Sequence, residues 1–276
     1  MVITFVVQGV TIGAYAARLA GVQTQRIATS ISLFNLFMTA GRLANLFSAV
    51  MIGPLADSAG NTVRALLVQH QNVAIASVQH TFEWQLRLVV LAGTLGMVGF
   101  SLLLPTFLYL FKRGIRSFER LGSLPHSLFR LADSTVIVDV VRSVRRPRVD
   151  DLRTFSWRDL PARMLIFNIV VTCVYAIGVA ASNYASVLDV NSSRTALQLS
   201  GIINGIGTIA FTLFVDPTSS IITDQAAKGE RPLGEVKAMV FYLSLTAIIG
   251  TMLSQLILWP SSYLIAAVAH FFTHGR

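Results

Sequence analysis

The architecture of this chain follows from three consecutive segments: VITFVVQGVTIGAYAARLA (residues 2–20), GVQTQR (21–26) and IATSISLFNLFMTAGRLANLFSAVMIGPL (27–55). The first and third are mostly apolar, and each is long enough for a helix to cross a bilayer core of roughly 30 Å, which takes about 20 residues. The polar link between them is so short that the two helices must be antiparallel neighbours. These segments predict a membrane protein built of helices.

The rest of the chain repeats this alternation of apolar and polar segments. Of its 276 residues, 54% are hydrophobic and 13% are charged, whereas a soluble domain carries about 25% charged residues. Further spans are predicted at about 86–111, 164–187 and 196–215, and a last one from 238. The semi-polar stretch 62–81 is expected to form an interfacial helix. The fold class is therefore an all-α polytopic membrane protein with about six transmembrane helices.

Basic residues cluster in one segment between the third and fourth spans. The net charge is +9, and 12 of the 22 Lys and Arg residues lie between 112 and 163. A basic loop between apolar spans is typical of the cytoplasmic side of a membrane protein. The pattern therefore places this loop in the cytoplasm and both termini outside, and it makes a nucleic-acid partner improbable.

The basic loop divides the chain into two similar parts: a first three-helix half (1–111), the loop itself (112–163) and a second three-helix half (164–276). Three spans per half force the halves into opposite orientations, which predicts a 3+3 inverted-topology repeat with the substrate path between them. Apolar residues near helical spacing within the loop indicate an amphipathic helix. Either it lies on the anionic inner leaflet, or it is a solvated helix packed on the bundle.

Arg42 is the most informative residue, because it falls near the centre of the second span. A charge there is costly, and arginine cannot escape by deprotonating, so the side chain must face the interior or a wet cavity. Asn35 and Asn45 share its helix face, while Arg18 and Arg26 continue a basic ladder toward the cytoplasm. An anion-binding role is one interpretation, and structural bonding of Arg42 to backbone carbonyls or Asn side chains is the other.

The acidic residues are expected near the ends of spans, at Asp57, Glu83, Asp189, Asp216 and Asp224. An absence of carboxylates from the span centres argues against a buried proton relay. Gly201 and Gly205 form a small-xxx-small pair, which indicates either close helix packing or a hinge.

The sequence contains no Gly-rich phosphate loop, no GxSxG and no HExxH. Cys173 is the single cysteine, and no Cys/His spacing suits a metal. We therefore expect a transporter without metal or cofactor rather than an enzyme.

Four segments of the first 60 residues resemble the Amj family: AYAARLAGVQT (14–24), ATSISLFN (28–35), GRLAN (41–45) and GPLAD (53–57). The resemblance implies a bacterial cytoplasmic membrane protein of peptidoglycan biosynthesis. Its activity would be to flip lipid II, an undecaprenyl-diphosphate-linked cell-wall precursor, from the inner to the outer leaflet. Lipid II and membrane lipids would be its partners, and the oligomeric state stays open.

The resemblance assigns no site residues. From charge placement alone we assign Arg42, Arg18, Arg26, Asn35 and Asn45 to the diphosphate headgroup, because guanidinium groups bind phosphate through forked, charge-assisted bonds. The alternatives to a flippase are a membrane-embedded lipid-phosphate enzyme and a small-solute transporter.

Overall fold

The computed structural model describes residues 1–121 and 156–275, and in these residues it contains helices and turns but no strand. A single 3₁₀ turn precedes α5 at Trp157–Asp159, and a π-helical segment, Phe211–Val215, joins α6 to α7 without a break. The helices are α1 (Val2–Thr24), α2 (Ile27–Val68), α3 (Asn72–Ser101), α4 (Leu104–Leu121), α5 (Ala162–Leu188), α6 (Ser193–Ala210), α7 (Asp216–Ala227) and α8 (Leu233–His274).

Six helices of the described chain are long and apolar enough to cross a membrane: α1, α2, α3, α5, the continuous α6–α7 unit and α8. The predicted all-α, six-span fold class is confirmed. Since these helices fit a multi-pass membrane protein, we treat them as its spans.

The second and third spans differ from their predicted bounds. α2 continues through Pro54 to Val68, and α3 begins at Asn72, so no separate interfacial helix occupies 62–81. Val63 of α2 and Phe82 of α3 are both buried in one cluster. This packing holds α2 and α3 together beyond their apolar segments. Tertiary contacts of this kind override local sequence signals that would otherwise end a helix.

The predicted third span also ends early. A turn at residues 102–103 separates α3 from α4, which is a distinct amphipathic helix. Phe107, Phe111 and Ile115 recur every four residues on one face, and Phe111 and Ile115 are buried in the core shared with α1. The amphipathic helix predicted farther into the basic loop lies outside the described residues.

The spans before the basic loop and those after it pack in a similar way. α1 packs against α2 and α3, while α5 packs against α6 and α8. A Cβ added to Gly96 of α3 would lie 2.1 Å from the Phe5 carbonyl oxygen of α1, and one added to Gly250 of α8 would lie 2.6 Å from that of Ile169 in α5. Each half thus has one close backbone approach to its central helix. This agreement favours the inverted repeat, which remains a prediction.

Gly201 and Gly205 do not make the close packing that their spacing suggested. Both are exposed, and a Cβ on either would meet nothing within 4 Å. The pair faces away from the bundle because α6 packs on α5 through another side, where Gly207 lies against Tyr175.

The bundle has two ends, each with its own apolar cluster. One end contains the α1–α2 link, α4 and the α7–α8 link. We call it the basic-loop end, because α4 leads into the basic loop there. The opposite end contains residues 69–71, residues 189–192 and the C-terminal part of α8. We call it the terminal end. At the terminal end, Arg64 donates to the Val190 carbonyl oxygen at 2.9 Å, and His270 lies 3.0 Å from the Asp189 carboxylate. These bonds tie the α5–α6 link to α2 and α8.

Candidate functional site

A cavity lies between the two halves of the bundle, and Arg42 lines it. All six spans contribute residues to its wall. The wall consists of Val7, Gln8, Thr11, Tyr15, Met38, Gly41, Arg42, Asn45, Met97, Val171, Thr172, Tyr175, Phe211 and Ala247. The position agrees with the expectation that Arg42 faces the interior rather than lipid.

Arg42 has no ion pair and no hydrogen bond among the residues that the structure describes. Its Nε is buried without a partner, and the side chain as a whole is only partly buried. The alternative interpretation, in which Arg42 bonds to backbone carbonyls or Asn side chains, therefore has no counterpart in the described part of the chain. A guanidinium in this position is satisfied by water or by a bound anion.

The close approach of α1 and α2 brings Arg42 to this cavity. Gly41 faces Thr11 of α1, and a Cβ at Gly41 would lie 2.9 Å from the Thr11 hydroxyl oxygen. Gln8, Thr11 and Tyr15 share one face of α1, at spacings of three and four residues. The absence of a side chain at Gly41 thus lets the polar face of α1 come near the guanidinium.

Sequence reasoning missed most of the polar wall. Gln8 and Thr11 on α1, and Thr172 and Tyr175 on α5, line the cavity together with Arg42. The spacing of polar residues within the first span could have indicated the α1 face. Nothing local could have indicated the α5 residues, because their role depends on which face α5 turns toward α1.

A buried hydrogen-bond network holds α1, α5 and α8 together beside the cavity. The Tyr15 hydroxyl donates to the Asn168 side-chain oxygen at 3.1 Å. The Asn168 amide donates to the Leu243 carbonyl and to the Thr246 hydroxyl, both at 2.8 Å. Buried polar groups that are satisfied in this way fix the relative register of helices.

The cavity is small, with about 60 Å³ of space that water can occupy. A single water needs about 10–15 Å³ by this measure, so only a few waters fit. A headgroup larger than a few waters would therefore not fit wholly within the cavity in this conformation.

Arg18 lies one turn beyond Tyr15, toward the basic-loop end, and only 1% of the residue is exposed. Its Nη2 donates to the carboxylate of Asp216, and its Nη1 donates to the Ser220 hydroxyl at 2.8 Å. The guanidinium carbon also lies 4.1 Å from the centre of the Phe34 ring. Arg18 is thus a paired charge, whereas Arg42 is not.

The partner of Arg18 is an acidic residue that was expected near the end of a span. Asp216 follows the predicted span 196–215 directly, and the helical unit that carries it continues to Ala227. The π-helical segment carries the helix past the predicted end of the span, and Pro217 follows this segment as the second residue of α7. The expectation that no carboxylate lies at a span centre stays a prediction, and what the sequence analysis missed is the pairing of Asp216 with Arg18.

An aromatic layer separates the ion pair from the cavity. Phe34 lies 6.4 Å from Tyr15 and 6.4 Å from Phe211, measured between ring centres, and it also contacts Arg18. Tyr15 and Phe211 line the cavity on their other side. The layer closes the cavity toward the basic-loop end.

The remaining predicted site residues divide between two regions. Asn45 lines the cavity with Arg42. Asn35 is exposed and is not part of the wall, and Arg26 is exposed at the start of α2. The structure therefore brings Arg42 and Asn45 together and leaves Arg18, Arg26 and Asn35 nearer the basic-loop end.

Comparisons with known proteins cover nearly the whole chain. The model of a family described as "Amj: Alternate to MurJ" matches residues 3–269. The lipid II flippase Amj of Bacillus subtilis (strain 168) is 32% identical over 260 residues, which are 94% of this chain and 91% of that relative. No solved structure gives a significant match.

Proposed function

This chain belongs to the Amj family, and we propose that it is a flippase that moves lipid II from the inner to the outer leaflet of the bacterial cytoplasmic membrane. The relative that matches over 94% of the chain is named a lipid II flippase. The activity supplies the peptidoglycan precursor to the outer surface.

The observation that carries this proposal is the unpaired guanidinium of Arg42 in a cavity lined by all six spans. The diphosphate of lipid II cannot cross an apolar core bare, because desolvating an unpaired ion costs many kcal/mol. Arg42 provides a fixed counter-charge inside the bundle, and guanidinium binds phosphate through forked, charge-assisted bonds. Asn45 on the same wall adds a neutral donor.

The proposed orientation places the basic-loop end in the cytoplasm and both termini outside. Arg26 and Asn35 are exposed toward that end, where they would meet the headgroup first. Arg18 lies between them and the aromatic layer. The headgroup would then pass Arg18, reach Arg42 and leave at the terminal end.

A flippase changes only the leaflet of its substrate, whereas a lipid-phosphate enzyme changes the substrate's mass. Measuring both the leaflet and the mass of lipid II therefore distinguishes the two functions. The test uses proteoliposomes containing lipid II labelled on its peptide, with an impermeant reagent that destroys accessible label. We expect the protected half of the label to become accessible at a rate that rises with protein content, with the lipid II mass unchanged.

Empty liposomes and liposomes containing an unrelated six-helix protein are the controls. A change in lipid II mass would favour the enzyme. No acceleration over the controls would refute the flippase.

A further inference from the structure

The Arg18–Asp216 pair joins the two halves of the protein. Arg18 belongs to α1 in the first half, and Asp216 begins α7 in the second. The exposures are unequal, at 1% for the Arg18 side chain and 31% for that of Asp216. Solvent or a ligand can therefore approach the pair from the Asp216 side while the guanidinium stays enclosed.

The surroundings of Arg18 have the composition of an anion site. Its Nη1 bonds to the Ser220 hydroxyl, its face lies on Phe34, and its Nε is buried with no partner in the described structure. One forked guanidinium, one hydroxyl and one unused N–H suit a ligand with more acceptor oxygens than a carboxylate has.

We infer that Arg18 and Ser220 form a second phosphate site, which the Asp216 carboxylate fills while no substrate is present. A buried arginine left without an anion is strongly destabilising, so the empty site needs an internal partner. The diphosphate of the substrate replaces Asp216 on Arg18, and Asp216 moves toward solvent. This inference rests on the proposed function and adds Ser220 and Asp216 to its site.

The π-helical segment Phe211–Val215 connects this exchange to the cavity. Phe211 at its start belongs to the aromatic layer, and Asp216 follows its last residue. π-helical turns interrupt the regular hydrogen-bond ladder and recur at functional sites. Release of Asp216 therefore frees the segment that also holds Phe211, and the aromatic layer opens as the headgroup binds Arg18.

The first test measures binding of undecaprenyl diphosphate to the purified protein in detergent micelles, with undecaprenol as the uncharged control. We expect Asp216→Asn to bind the diphosphate about tenfold more tightly than wild type, the scale of one charge-assisted contact, and to bind undecaprenol unchanged. In an Arg18→Gln background, Asp216→Asn should have no effect. Glu83→Gln is the matched control, because it breaks the Glu83–Arg87 pair at the terminal end and should leave the affinity unchanged.

The second test uses the wild-type protein, so that it does not depend on the folding of a variant. Undecaprenyl diphosphate should raise hydrogen exchange in a peptide covering α7, and undecaprenol should not. Unchanged affinity in Asp216→Asn, or no rise of exchange in α7, would make the pair purely structural and overturn this inference alone. Wild-type protein that binds no diphosphate would overturn the proposed function, and this inference with it.

Discussion

Arg42 tests the proposed function at the scale of one residue. We expect Arg42→Ala to insert into the membrane at near-normal abundance and to lose flipping in proteoliposomes, because no other described basic side chain lines the cavity. Arg42→Lys keeps the charge but loses the forked geometry, so partial activity should remain. Arg26→Ala should be milder, since an exposed charge is screened by solvent and salt.

Arg194→Ala is the matched control for these variants, since Arg194 is an exposed arginine of the α6 end near residues 189–192. It should flip lipid II at the wild-type rate. A well-folded Arg42→Ala protein that supports growth as the only flippase in a cell would contradict the anion-carrier role. Loss of the protein by degradation, or a lowered melting temperature, would instead indicate a structural arginine.

Arg18 and Arg42 differ in how far sequence could predict them. Arg42 could be identified because a charge within a long apolar segment is costly wherever it lies. The pairing of Arg18 with Asp216 could not, since the residues are 198 positions apart and no local pattern links them. A π-helical segment, which has no reliable sequence signature, sets the position of Asp216 relative to α6.

Gly96 tests the close packing of elements in the first half. A Cβ there would lie 2.1 Å from the backbone oxygen of Phe5, and backbone cannot yield as a flexible side chain can. We expect Gly96→Ala to destabilise the protein by about 1–3 kcal/mol, as overpacking does, which a thermal unfolding scan in detergent would measure.

Gly201→Ala is the control, because a Cβ at Gly201 meets nothing within 4 Å. Alanine is about 1 kcal/mol better than glycine inside a helix, so stability should stay equal or rise. Equal melting temperatures for the two variants would show that α1 and α3 do not approach as closely as described.

The link between α5 and α6 should give the protein an acid-sensitive contact. Burial opposes the charge of Asp189, but hydrogen bonds from Ser192, from His270 and from the backbone N–H groups of Asn191 and Ser192 outweigh it and hold the pKa of Asp189 below its usual value. The ordinary pKa is about 3.9. The contact therefore stabilises the fold above that pH, and its contribution is lost as the pH falls through the lower, folded pKa.

Asp189→Asn should remove this dependence. We expect the variant to be less stable than wild type at pH 7, and the difference in melting temperature to shrink as the pH falls below about 4. A difference that is the same at pH 7 and pH 3 would show that the charge of Asp189 contributes nothing.

Element existence was predictable, and element ends were not. Six apolar windows sufficed for six spans, because a bilayer sets a minimum length for each. The second and fifth spans were predicted to end at 55 and 215, yet α2 continues through Pro54 to Val68 and α7 continues from Asp216 to Ala227. Burial of Val63 and Phe82 at the terminal end depends on the neighbouring helix, which a single segment of sequence cannot specify.

The charge asymmetry predicts the orientation of the whole molecule, and cysteine labelling in a Cys173→Ser background can test this prediction. Arg194→Cys, at an exposed position of the terminal end, should react with an impermeant maleimide in intact cells. Two variants should react only after the membrane is permeabilised: Lys228→Cys, which is exposed in the α7–α8 link, and Arg145→Cys in the basic loop. Ready labelling at position 145 in intact cells would reverse the assignment.

The orientation of the whole molecule also bears on the energy source for flipping. In the proposed orientation a diphosphate headgroup with about two negative charges moves outward, which an inside-negative potential favours by roughly 4–5 kcal/mol at 100 mV. We therefore expect flipping in proteoliposomes to be faster when a potassium gradient with valinomycin makes the side at the basic-loop end of the protein negative. Asp216 is paired with Arg18 and is partly exposed, so the experiment needs a pH gradient without a potential as its second arm. A response to the pH gradient alone that disappears in Asp216→Asn would refute the potential-driven mechanism and assign a proton to Asp216.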